Sequence, residues 1–136
     1  MAFLIDTSLW IDIYRDRTGN LGKFVKSICG GHEPFFARPI ALELLQGCAT
    51  EAEWVLMHDH LATQDYLEMS SDPWIAASRI YFDLRRVGKT VRSSLDCCIA
   101  QLALESNCTL LHKDGDFEII ATIRPLKQRR VEIQVP

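Results

Sequence analysis

Apolar residues along this chain recur in two rhythms, short unbroken runs and helical stripes. The first run, Ala2-Phe3-Leu4-Ile5, ends on Asp6 and passes straight into a helical stripe. An uninterrupted run of this length fits a strand buried on both faces. Phe35-Phe36-Ala37, Tyr66-Leu67-Glu68-Met69 and Thr109-Leu110-Leu111-His112 predict further short strands, and 131–135 alternates as a last one. Between them, Leu9, Trp10 and Ile13 predict a helix over 8–15, and Leu21, Phe24, Val25 and Ile28 one over 21–29, closed by Gly30-Gly31. Pro39 suits the first turn of a helix running to Gln46, and Thr50-Glu51-Ala52-Glu53 is a capping box for 51–61. Asp72-Pro73 opens a long helix with Trp74, Ala77, Ile80, Tyr81 and Leu84 on one face, ending at Gly88. Ser93 or Ser94 caps a helix over 95–105, which Asn107 ends, and a short helix spans 116–121. Strands alternating with helices predict an α/β domain over residues 1–136, its central, mostly parallel sheet of four or five strands covered on both faces.

With 136 residues, 48% of them hydrophobic, the chain builds a core without disulfides. Its net charge of −3 argues against a protein that coats nucleic acid by charge alone, but not against a local basic patch. No apolar run approaches the length of a membrane span, and the N-terminus lacks the basic start and apolar core of a signal peptide. Cys29, Cys48, Cys97, Cys98 and Cys108 are odd in number and form no C-x-x-C pair, so they read as small packing residues in a reducing cytoplasm.

The candidate chemistry is acidic. Asp6 closes the first strand, and ligand sites in open α/β sheets lie just past such strand ends. Asp6 also suits a helix cap, although Thr7 or Ser8 could take that role and leave its carboxylate free. Glu43 follows Ile40 by three residues, so it lies toward an apolar side, where an acid is costly without a cation. Asp96 stands in the first turn of a helix that is apolar on nearly every side. The helix dipole alone accounts for an acid there. Asp114 and Asp116 follow another apolar strand, where turn and cap roles are equally open to them. Acids converging on one crevice repel unless a cation joins them, and oxygen-only donors favour Mg²⁺ or Mn²⁺. His58 and His60, two apart on a helix, offer no rival pair.

Asp6-Thr7-Ser8 after an apolar strand, Glu43 in a Leu-rich helix, Ser93-Ser94-Leu95-Asp96 and the run from Leu110 through His112-Lys113-Asp114-Gly115-Asp116 to Phe117 resemble a PIN domain. Order, spacing and length are most similar to VapC-type toxins of bacterial toxin–antitoxin pairs. The resemblance implies a three-layer α/β/α fold and a metal-dependent endoribonuclease that cleaves structured RNA, transfer or ribosomal, through metal-activated water. Its products would carry 5′-phosphate and 3′-hydroxyl ends. It assigns Mg²⁺ or Mn²⁺ to Asp6, Glu43, Asp96 and Asp114, with Asp116 as an alternative ligand and Ser8 and Thr7 as orienting groups. It also implies a homodimer and a small VapB-like antitoxin, for which Trp10, Ile13 and Tyr14, or Trp54 or Trp74, offer faces.

RNA needs positive charge beside such a pocket. Arg85, Arg86, Lys89 and Arg92 form the densest basic stretch, Arg92 nearest the acids in sequence. A helix C-terminus favouring cations explains the first of them equally well. Arg15 and Arg17 are weaker candidates, and Arg129-Arg130 reads as solvated surface. Two other functions fit the acids in part. An Asp6-based phosphatase or phosphotransfer domain would want a second acid at position 8, which is Ser. A non-catalytic binding module would use the acids as helix caps alone.

Overall fold

The computed structural model describes residues 1–68 and 72–132. Its elements run β1 (Ala2–Ile5), α1 (Thr7–Arg15), α2 (Asn20–Cys29), α3 (Arg38–Gln46), α4 (Glu51–Leu61), α5 (Pro73–Arg86), α6 (Ser94–Glu105), β2 (Cys108–His112), α7 (Gly115–Ile120) and β3 (Gln128–Arg130). The three strands pair in parallel in the order β1-β2-β3. Beyond β1 the sheet continues as two single-residue parallel bridges, Leu4 to Phe35 and Phe36 to Tyr66. The expected four or five strands are thus three strands and two bridges among the described residues.

The outer strands differ most from expectation. Phe36 N–H donates to Asp65 and Leu67 N–H to Phe36, and the pairing goes no further among the described residues. Met69 of the expected third strand lies outside them. The last strand begins at Gln128 rather than Val131, and 133–135 lie outside the described residues. Its sequence, Gln-Arg-Arg, carries no apolar signal because it is an edge strand with charged side chains turned to solvent.

Strand alternation explains the two cores. Phe3 and Ile5 of β1 and Leu111 of β2 pack with Leu9, Leu21 and Val25 of α1 and α2. Leu4 and Leu110 point the other way, into Ile40, Ile80, Leu84, Ile99 and Leu102 of α3, α5 and α6. Both faces are therefore covered, which is why the strands read as continuous apolar runs. Asn107 makes the tight exit from α6 into β2 with φ 53°, a conformation that Asn tolerates.

The caps fall close to where the sequence put them. Thr50 Oγ1 accepts from Glu53 N–H, Asp72 from Ile75 N–H and Ser93 from Leu95 N–H. Arg130, read as solvated surface, instead pairs with Glu118 and Glu132 and ties β3 to α7.

Leu110 sits fully buried in the central strand. Leu110→Ala is expected to lower unfolding free energy by about 3 kcal/mol through lost burial plus a residual cavity, read from urea denaturation with an unchanged slope.

Candidate metal centre

Register builds the site. Ile5 pairs with Leu111, and Asp6 N–H donates to Leu111 O at 2.9 Å. Asp6 therefore emerges beside His112, and Asp114 follows two residues later. α6 brings Asp96 in its first turn to the same end, while α3, entered from the Phe35 bridge, brings Glu43 against α1.

Asp6 is the N-cap of α1, taking the role that the sequence left open between it, Thr7 and Ser8. Its Oδ2 accepts from Ser8 N–H at 3.0 Å and Ser8 Oγ–H at 2.6 Å. The backbone is extended at Asp6 and already helical at Thr7, so only Asp6 has cap geometry. Its Oδ1 is buried with no hydrogen-bond partner. The same carboxylate thus both caps a helix and keeps one oxygen free. Ser8 Oγ in turn accepts from Lys113 N–H at 3.1 Å, joining β1's end to β2's. Thr7 Oγ1 donates to Glu43 Oε1 at 3.0 Å. Asp114 caps α7, its Oδ1 accepting from Asp116 N–H at 3.0 Å.

Oxygens of Asp96, Asp114 and Asp116 lie within 4.8 Å of one another. Asp6 and Glu43 do not belong to that close trio, but Asp6 acts on both Glu43 and Asp96, and Asp114 acts on all three. Burial, followed by the charges of Asp6 and Asp114, pushes the Glu43 carboxyl up. Burial also raises Asp6, against the lowering pull of the Ser8 bonds. Asp96 is pushed up to about 9, first by burial, then by a hydrogen bond with Asp116 and the surrounding carboxylates. An all-oxygen pocket with crowded acids and an orphaned buried oxygen fits a hard dication.

Of the four predicted phosphate contacts, Arg92 reaches the acids, its guanidinium donating to Asp114 Oδ1 at 2.8 Å. Lys89 Nζ is drawn to Thr122 Oγ1, and Arg86 lies over the Phe82 ring. Arg85 is exposed at the end of α5.

The residues 3–123 match the PIN domain family model. The chain is 34% identical over 128 residues to the VapC ribonuclease Mb1587 of Mycobacterium bovis, covering 91% of this chain and 95% of that one. The same figures hold for Ribonuclease VapC11 of Mycobacterium tuberculosis. The chain belongs to the PIN-domain family. Solved structures agree on the fold of this PIN domain. VapBC2 from Rickettsia felis, bound to a DNA fragment from their promoter, aligns with a TM-score of 0.78 at 14% identity, covering 97% of this chain and all of that one (100%). DNA-bound VapBC from Salmonella typhimurium aligns at 0.74 and 16% identity, over 96% and 98% of the two chains.

Sequence reasoning missed two supports of the PIN-domain site. Buried His112 accepts from Asp114 N–H at its Nδ1, 3.1 Å away, while its Nε2 meets Gln128 Oε1 at 2.6 Å. Nδ1 must therefore be the bare nitrogen, and the ring holds the Asp114 backbone. Lys113 Nζ pairs with Asp12 at 2.7 Å and ties the loop to α1. The signal was present: both residues lead directly into Asp114, but a strand-end His and an exposed Lys carry no periodicity.

The raised acids have a consequence for stability. Asp96 binds its proton in the folded PIN domain up to about pH 9 and loses it near 3.8 when unfolded. The folded state holds more protons between those values, so stability without a divalent ion falls as pH rises through that window. Thermal melts with chelator should decline from pH 5 to 9, and Asp96→Asn should flatten the decline.

Proposed function

We propose that this PIN domain is a toxin endoribonuclease that uses Mg²⁺ or Mn²⁺, held by Asp6, Glu43, Asp96 and Asp114, with Asp116 as alternative ligand. The observation that carries the reading is the buried, unpartnered Asp6 Oδ1 among carboxylates that raise one another's proton affinity. The VapC ribonuclease relatives support RNA as the substrate class. Structured RNA, transfer or ribosomal, is the target we expect.

The ion would supply charge neutralisation of the phosphodiester and a lowered pKa for the attacking water. The chain's own residues do the orienting. Ser8 holds Asp6 Oδ2 through both its N–H and its hydroxyl, which fixes the direction of Oδ1. Thr7, at the start of α1, holds Glu43 of α3. His112 fixes the backbone at Asp114. Arg92, at the mouth, is the phosphate contact we favour. Attack by water rather than by the ribose 2′-hydroxyl leaves 5′-phosphate and 3′-hydroxyl ends.

A small antitoxin is the expected partner, since the solved relatives are VapBC assemblies. Trp10, Ile13 and Tyr14, the α1 residues expected to meet a partner, line a groove of about 650 Å³ with Lys23, Lys26 and His60. A homodimer belongs to the same reading, with Trp74 and Phe82 exposed on α5. Among the described residues no helix is long and apolar enough to cross a membrane, and we infer a cytoplasmic location.

Purified chain, free of antitoxin, is expected to cleave total RNA with Mg²⁺ or Mn²⁺ and to stop with chelator. Ser8→Ala should lower turnover by roughly 10–100-fold through loss of the hydroxyl's bond to Asp6, the backbone N–H bond remaining, and Asp6→Asn by more. Intact RNA with both ions, alongside identical behaviour of Asp6→Asn, would sink the nuclease reading.

A further inference from the structure

Arg92 approaches the acids from the segment between α5 and α6. Its backbone is fixed, because its N–H donates to Asp116 Oδ2 at 2.9 Å. Its side chain is 79% exposed. From that anchor the guanidinium donates to Asp114 Oδ1 at 2.8 Å and stands 3.9 Å from Asp116 Oδ1. Asp114 Oδ1 already accepts the Asp116 N–H that caps α7. A carboxylate oxygen offers about two lone-pair positions, so both on Oδ1 are taken. The cap bond belongs to the fold of α7, whereas the guanidinium bond is made by a group that is largely exposed to solvent.

Asp114 and Asp116 are also two of the three acids whose oxygens lie within 4.8 Å of one another. A dication drawing on Oδ1 therefore needs the position that Arg92 fills. One drawing on the other oxygen would sit a few ångströms from the guanidinium's positive charge, which repels it. Neither arrangement is favourable unless the guanidinium swings out.

We propose that Arg92 and the divalent ion bind the Asp114–Asp116 pair in exchange, the guanidinium neutralising the pair until the ion displaces it to the pocket mouth. Arg92 is thus a positioning residue that sets the affinity for the ion, and the displaced head group stays tethered where substrate phosphate would arrive. The inference rests on the metal-dependent reading proposed above.

The test is calorimetric titration of Mn²⁺ into the full-length wild type, Arg92→Gln and Arg92→Lys, at low and high salt, with thermal melts to check folding. Arg92→Gln is expected to bind Mn²⁺ about two- to fivefold more tightly at low salt, the size of an exposed ion pair. Arg92→Lys should stay near wild type, and the difference should shrink at high salt. A residue that merely held Asp114 in place would have the opposite effect, weakening binding when removed. The exchange is overturned if Arg92→Gln binds no more tightly than wild type, or if Arg92→Lys gains as much as Arg92→Gln. Should the wild type and both variants bind no Mn²⁺ at all, the metal reading falls and the exchange falls with it.

Discussion

Mutual repulsion among carboxylates is the constraint on which this site depends. Asp6, Glu43, Asp96 and the Asp114–Asp116 pair come from four separate stretches, and the fold brings them to one end of a parallel sheet. Burial makes the crowding worse, because charge is poorly screened away from water. The structure meets the strain in three ways. Asp96 keeps a proton up to about pH 9. Asp6 and Asp114 turn one oxygen each toward helix N–H groups. Arg92 adds a positive charge at the open side. The pocket that remains suits a cation.

The caps connect folding to chemistry. An N-cap carboxylate normally spends itself on the first turn of its helix. Asp6 does so with Oδ2 only, because the Ser8 hydroxyl and N–H converge on the same oxygen. The strand-to-helix junction therefore orients the remaining oxygen without help from a distant element. Asp114 works similarly at the start of α7, with His112 steadying its backbone from behind.

Much of this was legible in the sequence, and the reasons are specific. Acids at the ends of apolar strands announce the crevice, because only a strand buried on both faces reads as an unbroken apolar run. Asp6 and Asp114 stand out that way, Asp96 by its place in the first turn of an apolar helix, and Glu43 by its apolar side. Which oxygen caps and which stays free is a matter of local rotation that residue identity does not encode. Arg92 was recognised as basic and near Asp96 in sequence, but its bond to Asp114 depends on how the loop before α6 meets the start of α7. Gln128–Arg130 escaped notice because an edge strand needs no apolar face, and Arg130 looked solvated although Glu118 and Glu132 hold it.

The narrow margins of the sheet have their own consequence. On one side it tapers to single bridges at Phe35, Phe36 and Tyr66, with the Arg38 guanidinium 4.0 Å above the Tyr66 ring. On the other, its described border is three residues long and carries Arg129 and Arg130. Among the described residues, both borders are short, and arginine side chains flank each of them. Among the described residues, the apolar central strands β1 and β2 are thus kept away from both margins of the sheet, where a second chain could pair with them.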